Sequence, residues 1–217
     1  MSVAVWTIVV AGGSGTRFGS VKQFELVGAE RVVDRACDVA RRSSDGVVVV
    51  LPSAADVDRW RDERGGAAVV GGETRSDSVR AGLAAVPTSV DIVCVHDAAR
   101  PLAAAELYRR VIDAVRAGAD GAVPAIPVSD TIKVVDVDGV VVDTPDRAKL
   151  VAVQTPQAFR ADMLRKAHAE GGEGTDDASL VEAIGGRVVA VPGDIGNRKI
   201  TDRADLEWAN SLLEVER

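Results

Sequence analysis

The sequence predicts an α/β fold with a doubly wound, mostly parallel sheet, because apolar runs alternate with amphipathic patterns along the chain. Six apolar runs are predicted to be buried strands: 3–10, 47–51, 67–70, 92–95, 122–126 and 188–191. The stretches between them place apolar residues at helical spacing. In such sheets ligands bind beyond the carboxyl ends of the strands, so we expect the chemistry in the loops that follow them.

The helices are predicted from that spacing and from polar residues at their starts. They are a helix over 79–86 with Ser76-Asp77 as its N-cap, a helix over 107–115 behind Glu106, a helix beginning at Thr175-Asp176-Asp177, and a last helix from about Asp202.

The 217 residues suit one large domain, 1–217. The chain carries 26 Lys and Arg against 33 Asp and Glu, a net charge of −7. This balance argues against a broad basic surface for nucleic acid. Cys37 and Cys94 form neither a disulfide framework nor a zinc motif, which indicates a reducing cytoplasm. Since no run of about 18 apolar residues occurs, no membrane partner is expected.

One segment breaks the alternation of strands and helices. Residues 131–142 read as two strands joined by an Asp138-Gly139 turn, a strong hairpin signal. A hairpin cannot bury both of its faces unaided. We therefore predict a hairpin arm over about 130–150 that folds over the sheet or reaches a partner subunit.

The loop after the first strand is built to hold an anion. Four of its nine residues, 11–19, are glycine, which allows backbone N–H groups to converge on a phosphate. Arg17 and Lys22 add positive charge at the same place. Neither a P-loop nor a dinucleotide fingerprint fits, because no Gly-Lys pair occurs and Phe18 stands where a third glycine belongs. The alternative is a tight turn that needs glycine for geometry alone.

Two later loops carry further candidates. Gly72 and Ser78 follow the strand over 67–70 and are suited to a flat base, although a capped helix start explains them equally well. Asp97 follows the strand over 92–95 and is a candidate Mg²⁺ ligand, with Arg100 as a second anion clamp. Their alternative is a turn cap and a surface ion pair.

The two histidines are interpreted as structural. We expect His96 to be packed and hydrogen-bonded, and His168 to be solvated on a charged helix. There is no Ser/His/Asp set and no reactive-cysteine context, so covalent catalysis has little support. Glycine loops and cations around one carboxylate favour nucleotidyl transfer by positioning and electrostatics.

Taken in order, these segments resemble the 2-C-methyl-D-erythritol 4-phosphate cytidylyltransferase family of the methylerythritol phosphate route to isoprenoids. The matching segments are Ala11-Gly12-Gly13-Ser14-Gly15-Thr16-Arg17, Lys22-Gln23-Phe24, Gly71-Gly72-Glu73-Thr74-Arg75-Ser76-Asp77-Ser78, His96-Asp97-Ala98-Ala99-Arg100-Pro101, Asp130-Thr131-Ile132-Lys133, Thr155-Pro156-Gln157, Thr175-Asp176-Asp177-Ala178-Ser179 and Lys199-Ile200-Thr201. The resemblance implies a Rossmann-like nucleotidyltransferase fold, Mg²⁺ as cofactor, and a homodimer formed through the hairpin arm. It implies that the sugar phosphate attacks the α-phosphate of CTP, giving the diphosphocytidyl product and pyrophosphate.

The resemblance also implies roles for particular residues. The catalytic residues are Arg17, Lys22, Arg147 and Lys199; the CTP-binding residues are Ala11, Gly12, Gly13, Gly15, Gly72, Ser78 and Asp97; the substrate-binding residues are Arg100, Thr131, Arg147 and Lys199; the metal ligand is Asp97. Thr131 and Arg147 are expected to serve the partner subunit's site, because they belong to the arm.

The chain departs from the family pattern at three places. It reads Val10-Ala11-Gly12-Gly13 in the first loop, has Val21 before the loop lysine, and has Gly196-Asn197 where some members carry an acid, with Asp194 the nearest carboxylate. Whether a second protein carboxylate binds the metal therefore stays open.

Two alternatives remain beside this reading. The first is a ribitol-5-phosphate cytidylyltransferase, whose first loop also tends to read Ala-Gly-Gly; Ala99 and Lys133 favour the methylerythritol substrate. The second is a nucleotide-binding regulator without catalysis. Four residues present together count against it: Arg17, Lys22, Asp97 and Lys199.

Overall fold

A central sheet of eight strands organises the computed structural model, which describes residues 3–13, 21–169 and 171–215. The strands of the described chain are β1 (Val5–Val10), β2 (Leu26–Val27), β3 (Glu30–Arg31), β4 (Gly46–Leu51), β5 (Ala67–Val70), β6 (Ile92–Asp97), β7 (Gly121–Pro127), β8 (Val134–Val135), β9 (Val141–Asp143), β10 (Val151–Val153), β11 (Gln157–Arg160) and β12 (Val188–Pro192). The helices are α1 (Val32–Ser43), α2 (Ala54–Arg64), α3 (Arg75–Ala85), α4 (Ala105–Arg116), α5 (Ala161–Ala169), α6 (Asp177–Ala183) and α7 (Arg203–Val215).

Most strands of the sheet run parallel, as predicted. β1 pairs in parallel with β4 and β6, β4 with β5, and β7 with β12. β11 lies antiparallel between β6 and β7, and β10 is also antiparallel to β7. The apolar pattern does not predict these two short antiparallel strands. Polar residues and a proline lie between them, so neither strand forms a long apolar run.

Helices cover both faces of the sheet. Ile8 packs in an apolar cluster with residues of α3, α5 and α6, whereas its neighbour Val9 packs in a second cluster with residues of α1, α2 and α4. Because side chains alternate between the faces of a strand, this division shows that the sheet is buried on both sides. The predicted doubly wound fold is confirmed.

α3 packs close to the sheet, and its N-terminus lies at the edge formed by the carboxyl ends of the strands. A Cβ on Gly82 of this helix would lie 2.5 Å from Ile8 Cγ2, so glycine allows the close approach. The N-cap is Thr74, whose side chain forms a capping box with Asp77. The predicted Ser76-Asp77 cap is therefore wrong, because both residues lie in the first turn.

The predicted hairpin is present as β8 and β9, a two-stranded sheet separate from the central one. Gly139 has a φ of 81° in the connecting turn, a conformation that favours glycine. The valines of both strands are exposed, and Val137 near the tip is fully so.

No described helix has the length and apolar composition needed to cross a bilayer.

Candidate functional site

A cleft of about 470 Å³ opens beyond the carboxyl ends of β1, β5 and β6. Eight of the residues singled out in the sequence line it: Ala11, Gly12, Gly13, Lys22, Gly72, Ser78, Asp97 and Lys199. The parallel sheet causes this convergence, because it brings the ends of its strands to one edge. Gly15 and Arg17 lie outside the described residues.

The first loop is held from behind by a buried amide. Gln23 Nε2 donates to the carbonyl oxygens of Ala11, at 2.7 Å, and Gly13, at 3.0 Å. Since these two oxygens are occupied, a phosphate entering the cleft meets less repulsion from the loop. The role of Gln23 was not predicted, although it lies in the Lys22-Gln23-Phe24 segment.

The loop after β5 packs on the first loop only because both are rich in glycine. A Cβ on Gly71 would lie 2.7 Å from Ser78 Oγ, and one on Gly12 would lie 3.1 Å from the same atom. A Cβ on Gly72 would lie 2.2 Å from the Cβ of Asp77. The chain approaches closely here, which brings the Ser78 side chain to the wall of the cleft.

Asp97 ends β6 and lies between two cations. Arg75 Nε is 3.2 Å from its Oδ1, and Lys199 Nζ is 2.6 Å from its Oδ2. Burial alone would raise the pKa of Asp97, but Arg75 and Lys199 outweigh it and hold that pKa well below its ordinary value. The side chain is therefore a carboxylate throughout the neutral range.

A hydrogen-bonded chain behind Asp97 fixes its backbone. The Asp97 N–H donates to Thr155 Oγ1 at 3.0 Å, and that hydroxyl lies 3.1 Å from His96 Nδ1. His96 Nε2 lies 3.2 Å from the carbonyl oxygen of Arg100. Burial lowers the pKa of His96 to about 4, which keeps the ring neutral. The expectation of a packed, hydrogen-bonded His96 is confirmed.

The loop that carries Lys199 is hydrogen-bonded to Lys22, near the first loop, and to the last helix. Lys22 Nζ donates to the carbonyl oxygen of Ile200 at 3.0 Å. On the other side, buried Asp205 of α7 accepts from the N–H of Thr201 at 2.8 Å. Lys199 is thus held from the first loop and from the last helix.

Arg100 lies behind the Lys199 loop. Its Nη1 donates to the carbonyl oxygen of Asn197 at 2.7 Å, and its Nη2 lies 3.4 Å from that of Val153. It is not among the residues that line the cleft, whereas its neighbour Ala99 is. Arg100 therefore borders the cleft on the side of β10.

Thr131 and Arg147 do not join the cleft of their own chain. Both are exposed and belong to the segment that carries the hairpin. Arg147 Nη1 donates to the carbonyl oxygen of Ser129 at 2.8 Å, which ties the two ends of this segment together.

Arg75 is the main site residue that sequence reasoning missed. Beside its contact with Asp97, its Nη1 is 2.8 Å from Oδ2 of the fully buried Asp177. Burial alone would lower the pKa of Arg75, but the two carboxylates raise it. Arg75 is the first basic residue after Gly71-Gly72, and that position could have marked it as a residue of the site.

The expectation that His168 is solvated is wrong. The side chain is buried, and its Nε2 is 3.0 Å from Asp177 Oδ1. It lies four residues after Leu164, on the apolar face of α5, and that spacing could have revealed its burial.

The carboxylate of Asp97 suits a metal ion that is also bound by the substrate. Nowhere in the described ranges do three or more His, Cys, Asp or Glu residues gather as a metal-binding group. Asp194 accepts from the N–H of Gly196 at 2.8 Å and lines a different cleft, near Leu102 and Leu213. Mg²⁺ commonly uses one or two carboxylates together with substrate phosphates. Asp97 suits a site with one protein carboxylate and substrate phosphates as the other ligands.

The chain is similar to known proteins over nearly its full length. Residues 5–215 match the family model described as IspD: 2-C-methyl-D-erythritol 4-phosphate cytidylyltransferase. A protein of that name from Rhodococcus jostii is 45% identical, over 97% of this chain and 95% of the relative. One from Symbiobacterium thermophilum is 46% identical, over 100% of this chain and 95% of the relative.

Solved structures agree with the relatives. The 4-diphosphocytidyl-2C-methyl-D-erythritol synthase of Anaerococcus prevotii superposes with a TM-score of 0.84 at 30% identity, covering 97% of this chain and 98% of that one. The 2-C-methyl-D-erythritol 4-phosphate cytidylyltransferase of Thermus thermophilus gives a TM-score of 0.81 at 34% identity, covering 99% and 100%. The chain therefore belongs to the 2-C-methyl-D-erythritol 4-phosphate cytidylyltransferase family and is a nucleotidyltransferase, as the order of its motifs indicated.

Proposed function

We propose that this chain transfers the CMP group of CTP to 2-C-methyl-D-erythritol 4-phosphate at the cleft beyond β1, β5 and β6. One observation carries the proposal: the glycine loops, Lys22 and Lys199 converge on the buried carboxylate of Asp97. Such an arrangement suits a reaction that needs charge stabilisation and positioning and no covalent enzyme intermediate.

The reaction joins the two substrates directly. An oxygen of the sugar phosphate attacks the α-phosphorus of CTP, a new P–O bond forms, and the bond to pyrophosphate breaks. Lys22 and Arg17 stabilise the negative charge that builds on the α-phosphate oxygens. Asp97 would hold Mg²⁺, which neutralises charge on the triphosphate when bound.

The remaining residues of the cleft bind the substrates. The loop amides of Ala11, Gly12, Gly13 and Gly15 would hold the triphosphate, and Gly72 and Ser78 would contact the cytosine. Both residues line the cleft, which supports this assignment.

The sugar phosphate is bound where two chains meet. Lys199 and Arg100 would contribute from one chain, and Thr131 and Arg147 from the arm of its partner in a homodimer. Two observations support the dimer. The valines of the hairpin are exposed, and Arg147 is exposed and absent from the lining of its own chain's cleft.

We also place the protein in the cytoplasm. Its two cysteines are unpaired and buried, and burial raises the pKa of both thiols to about 12. Cysteines of this kind are typical of a reducing compartment.

The test is pyrophosphate release from CTP and Mg²⁺ with 2-C-methyl-D-erythritol 4-phosphate, with ribitol 5-phosphate in a parallel reaction. Release with the first substrate alone supports the proposal. Faster release with ribitol 5-phosphate would overturn the substrate assignment. CTP binding with no release from either, in protein shown to be folded, would favour a regulator.

A further inference from the structure

A line of ionisable side chains leads from the cleft into the protein between α3, α5 and α6. Asp97 contacts Arg75, Arg75 contacts Asp177, and Asp177 contacts His168, with distances of 3.2, 2.8 and 3.0 Å. Asp177 is fully buried and His168 nearly so. The proposed reaction as described above uses neither of them.

A fully buried carboxylate is costly unless both of its oxygens are engaged. His168 Nε2 lies 3.0 Å from Oδ1 of Asp177, and Arg75 Nη1 forms an ion pair with Oδ2 at 2.8 Å, although Oδ2 accepts no well-aligned hydrogen bond. The guanidinium of Arg75 is therefore shared between a carboxylate inside the protein and Asp97 in the cleft. Only its Nε is directed at Asp97.

The charges of this group balance. Arg75 and Lys199 are positive, while Asp97 and Asp177 are negative. If the charge of Asp177 were absent, Asp97 would be the only negative charge of this group beside the two positive charges of Arg75 and Lys199. Arg75 would also be free to pair with Asp97 through two N–H groups, the strongest geometry for this pair.

We propose that Asp177 is a positioning residue, which divides Arg75 between two carboxylates and thereby leaves Asp97 only one Arg75 N–H to release when it takes the divalent cation that accompanies CTP. The inference rests on the proposed function, because it takes Asp97 as the metal ligand. His168 contributes by contacting Oδ1 of Asp177, which directs Oδ2 toward Arg75.

The test is Asp177→Asn, which keeps the shape and leaves a carbonyl oxygen for His168. Mn²⁺ binding is measured by electron paramagnetic resonance with CTP present and no sugar phosphate, so that no turnover occurs. We expect the Mn²⁺ affinity to fall about fivefold or more, because one negative charge near Asp97 is lost. CTP affinity in EDTA should stay equal or rise, since the cleft becomes more positive. Weakening of both affinities in a variant whose circular dichroism matches that of wild type would overturn the proposal.

Two further variants separate charge from shape. Arg75→Gln should strengthen Mn²⁺ binding and weaken CTP binding in EDTA, the opposite of Asp177→Asn. The double variant has the wild-type charge sum and should return the Mn²⁺ affinity to within about twofold of wild type. It replaces a buried ion pair by two neutral amides, so it keeps the test open if Asp177→Asn alone does not fold. A double variant that binds Mn²⁺ as weakly as Asp177→Asn, or more weakly, would overturn the proposal.

Asp162→Asn is the matched control. Asp162 pairs with Arg160 at 2.7 Å, but both are exposed. Arg160 pairs in register with Ile92, the first residue of β6, whereas Asp97 is the last. The Asp162 change should leave both affinities unchanged.

The two proposals can fail separately. Pyrophosphate release by the wild type reports the transfer reaction, whereas Mn²⁺ and CTP binding report the role of Asp177. A wild-type protein that binds both but transfers nothing would overturn the proposed function while the variant comparison stands. A wild-type protein whose Mn²⁺ binding ignores CTP would overturn this inference.

Discussion

Lys22 Nζ donates a hydrogen bond to the carbonyl oxygen of Ile200, 178 residues further along the chain, at 3.0 Å. Ile200 directly follows Lys199, whose own Nζ is 2.6 Å from Asp97. The two lysines from the first and last loops are thus fixed relative to each other and to the one buried carboxylate of the cleft. We therefore expect a change at Lys22 to affect the proposed stabilisation of the transition state and also the support of Lys199.

Lys22→Ala should lower kcat for pyrophosphate release by roughly 10²-fold or more, the scale of losing one preorganised electrostatic contact. The KM for CTP should change less, because Lys22 acts mainly on charge that develops during transfer. Steady-state kinetics with both substrates varied gives the two constants. A rise in KM at unchanged kcat would contradict this role. Lys166→Ala, a change of the same size on the exposed side of α5, is the control and should leave both constants unchanged.

Divalent metal should bind tightly only together with CTP. Asp97 has a cation on each oxygen, and it offers a metal one protein ligand; the substrate phosphates supply the rest. Mn²⁺ titration without CTP should therefore give a dissociation constant of about a millimolar or weaker, and one at least about tenfold lower with CTP. EDTA should abolish pyrophosphate release.

Two variants decide which carboxylate is responsible for that binding. Asp97→Asn should remove the CTP-dependent Mn²⁺ site. Asp194→Asn should leave it intact, since Asp194 lines a different cleft. Loss of the site in Asp194→Asn would mean that a second protein carboxylate reaches the metal.

The stability of the protein should depend on His96 between about pH 6.5 and pH 4. Burial lowers the pKa of His96 from 6.5 to about 4 in the folded protein, so in this window the unfolded chain binds a proton that the native state does not. The free energy of unfolding therefore falls as the pH decreases, by on the order of 3 kcal/mol across the window. The lowered pKa of Asp97 acts in the same direction, but only as the pH falls below about 3.8, where the unfolded carboxylate protonates.

Urea unfolding of wild type and His96→Gln at pH 7 and pH 5 measures this dependence. The difference in unfolding free energy between the two pH values should be smaller in the variant. Equal differences in the two proteins would show that His96 does not cause the dependence.

The sequence was sufficient to predict the parallel strands of the sheet and the edge that bears the site. The apolar runs around Val9 and Val95 mark the strands, and parallel strands end at one edge, so the glycine loops and Asp97 had to meet there. The partners of these residues were beyond prediction. Thr155 reaches the N–H of Asp97 from 58 residues away, and no periodicity in the chain encodes such a contact. Arg75 and Asp177 are likewise brought together only by the packing of α3 beside α6.

Mixing two inactive variants should restore activity if the arm serves the partner's site. In a dimer of Lys22→Ala with Arg147→Ala, one cleft combines both changes, while the other has an intact Lys22 and receives an intact Arg147 from its partner. Random exchange of equal amounts gives about half mixed dimers, so about a quarter of all sites should be competent. The measurement is pyrophosphate release after the variants are mixed and left to exchange subunits, with each variant alone as reference. If Arg147 acted on its own chain, every cleft would carry one of the two changes and the mixture would stay as inactive as its components. Val137→Asp at the exposed hairpin tip, added to both variants, tests the route, because a charge placed in an apolar interface should disfavour the dimer and suppress the recovery.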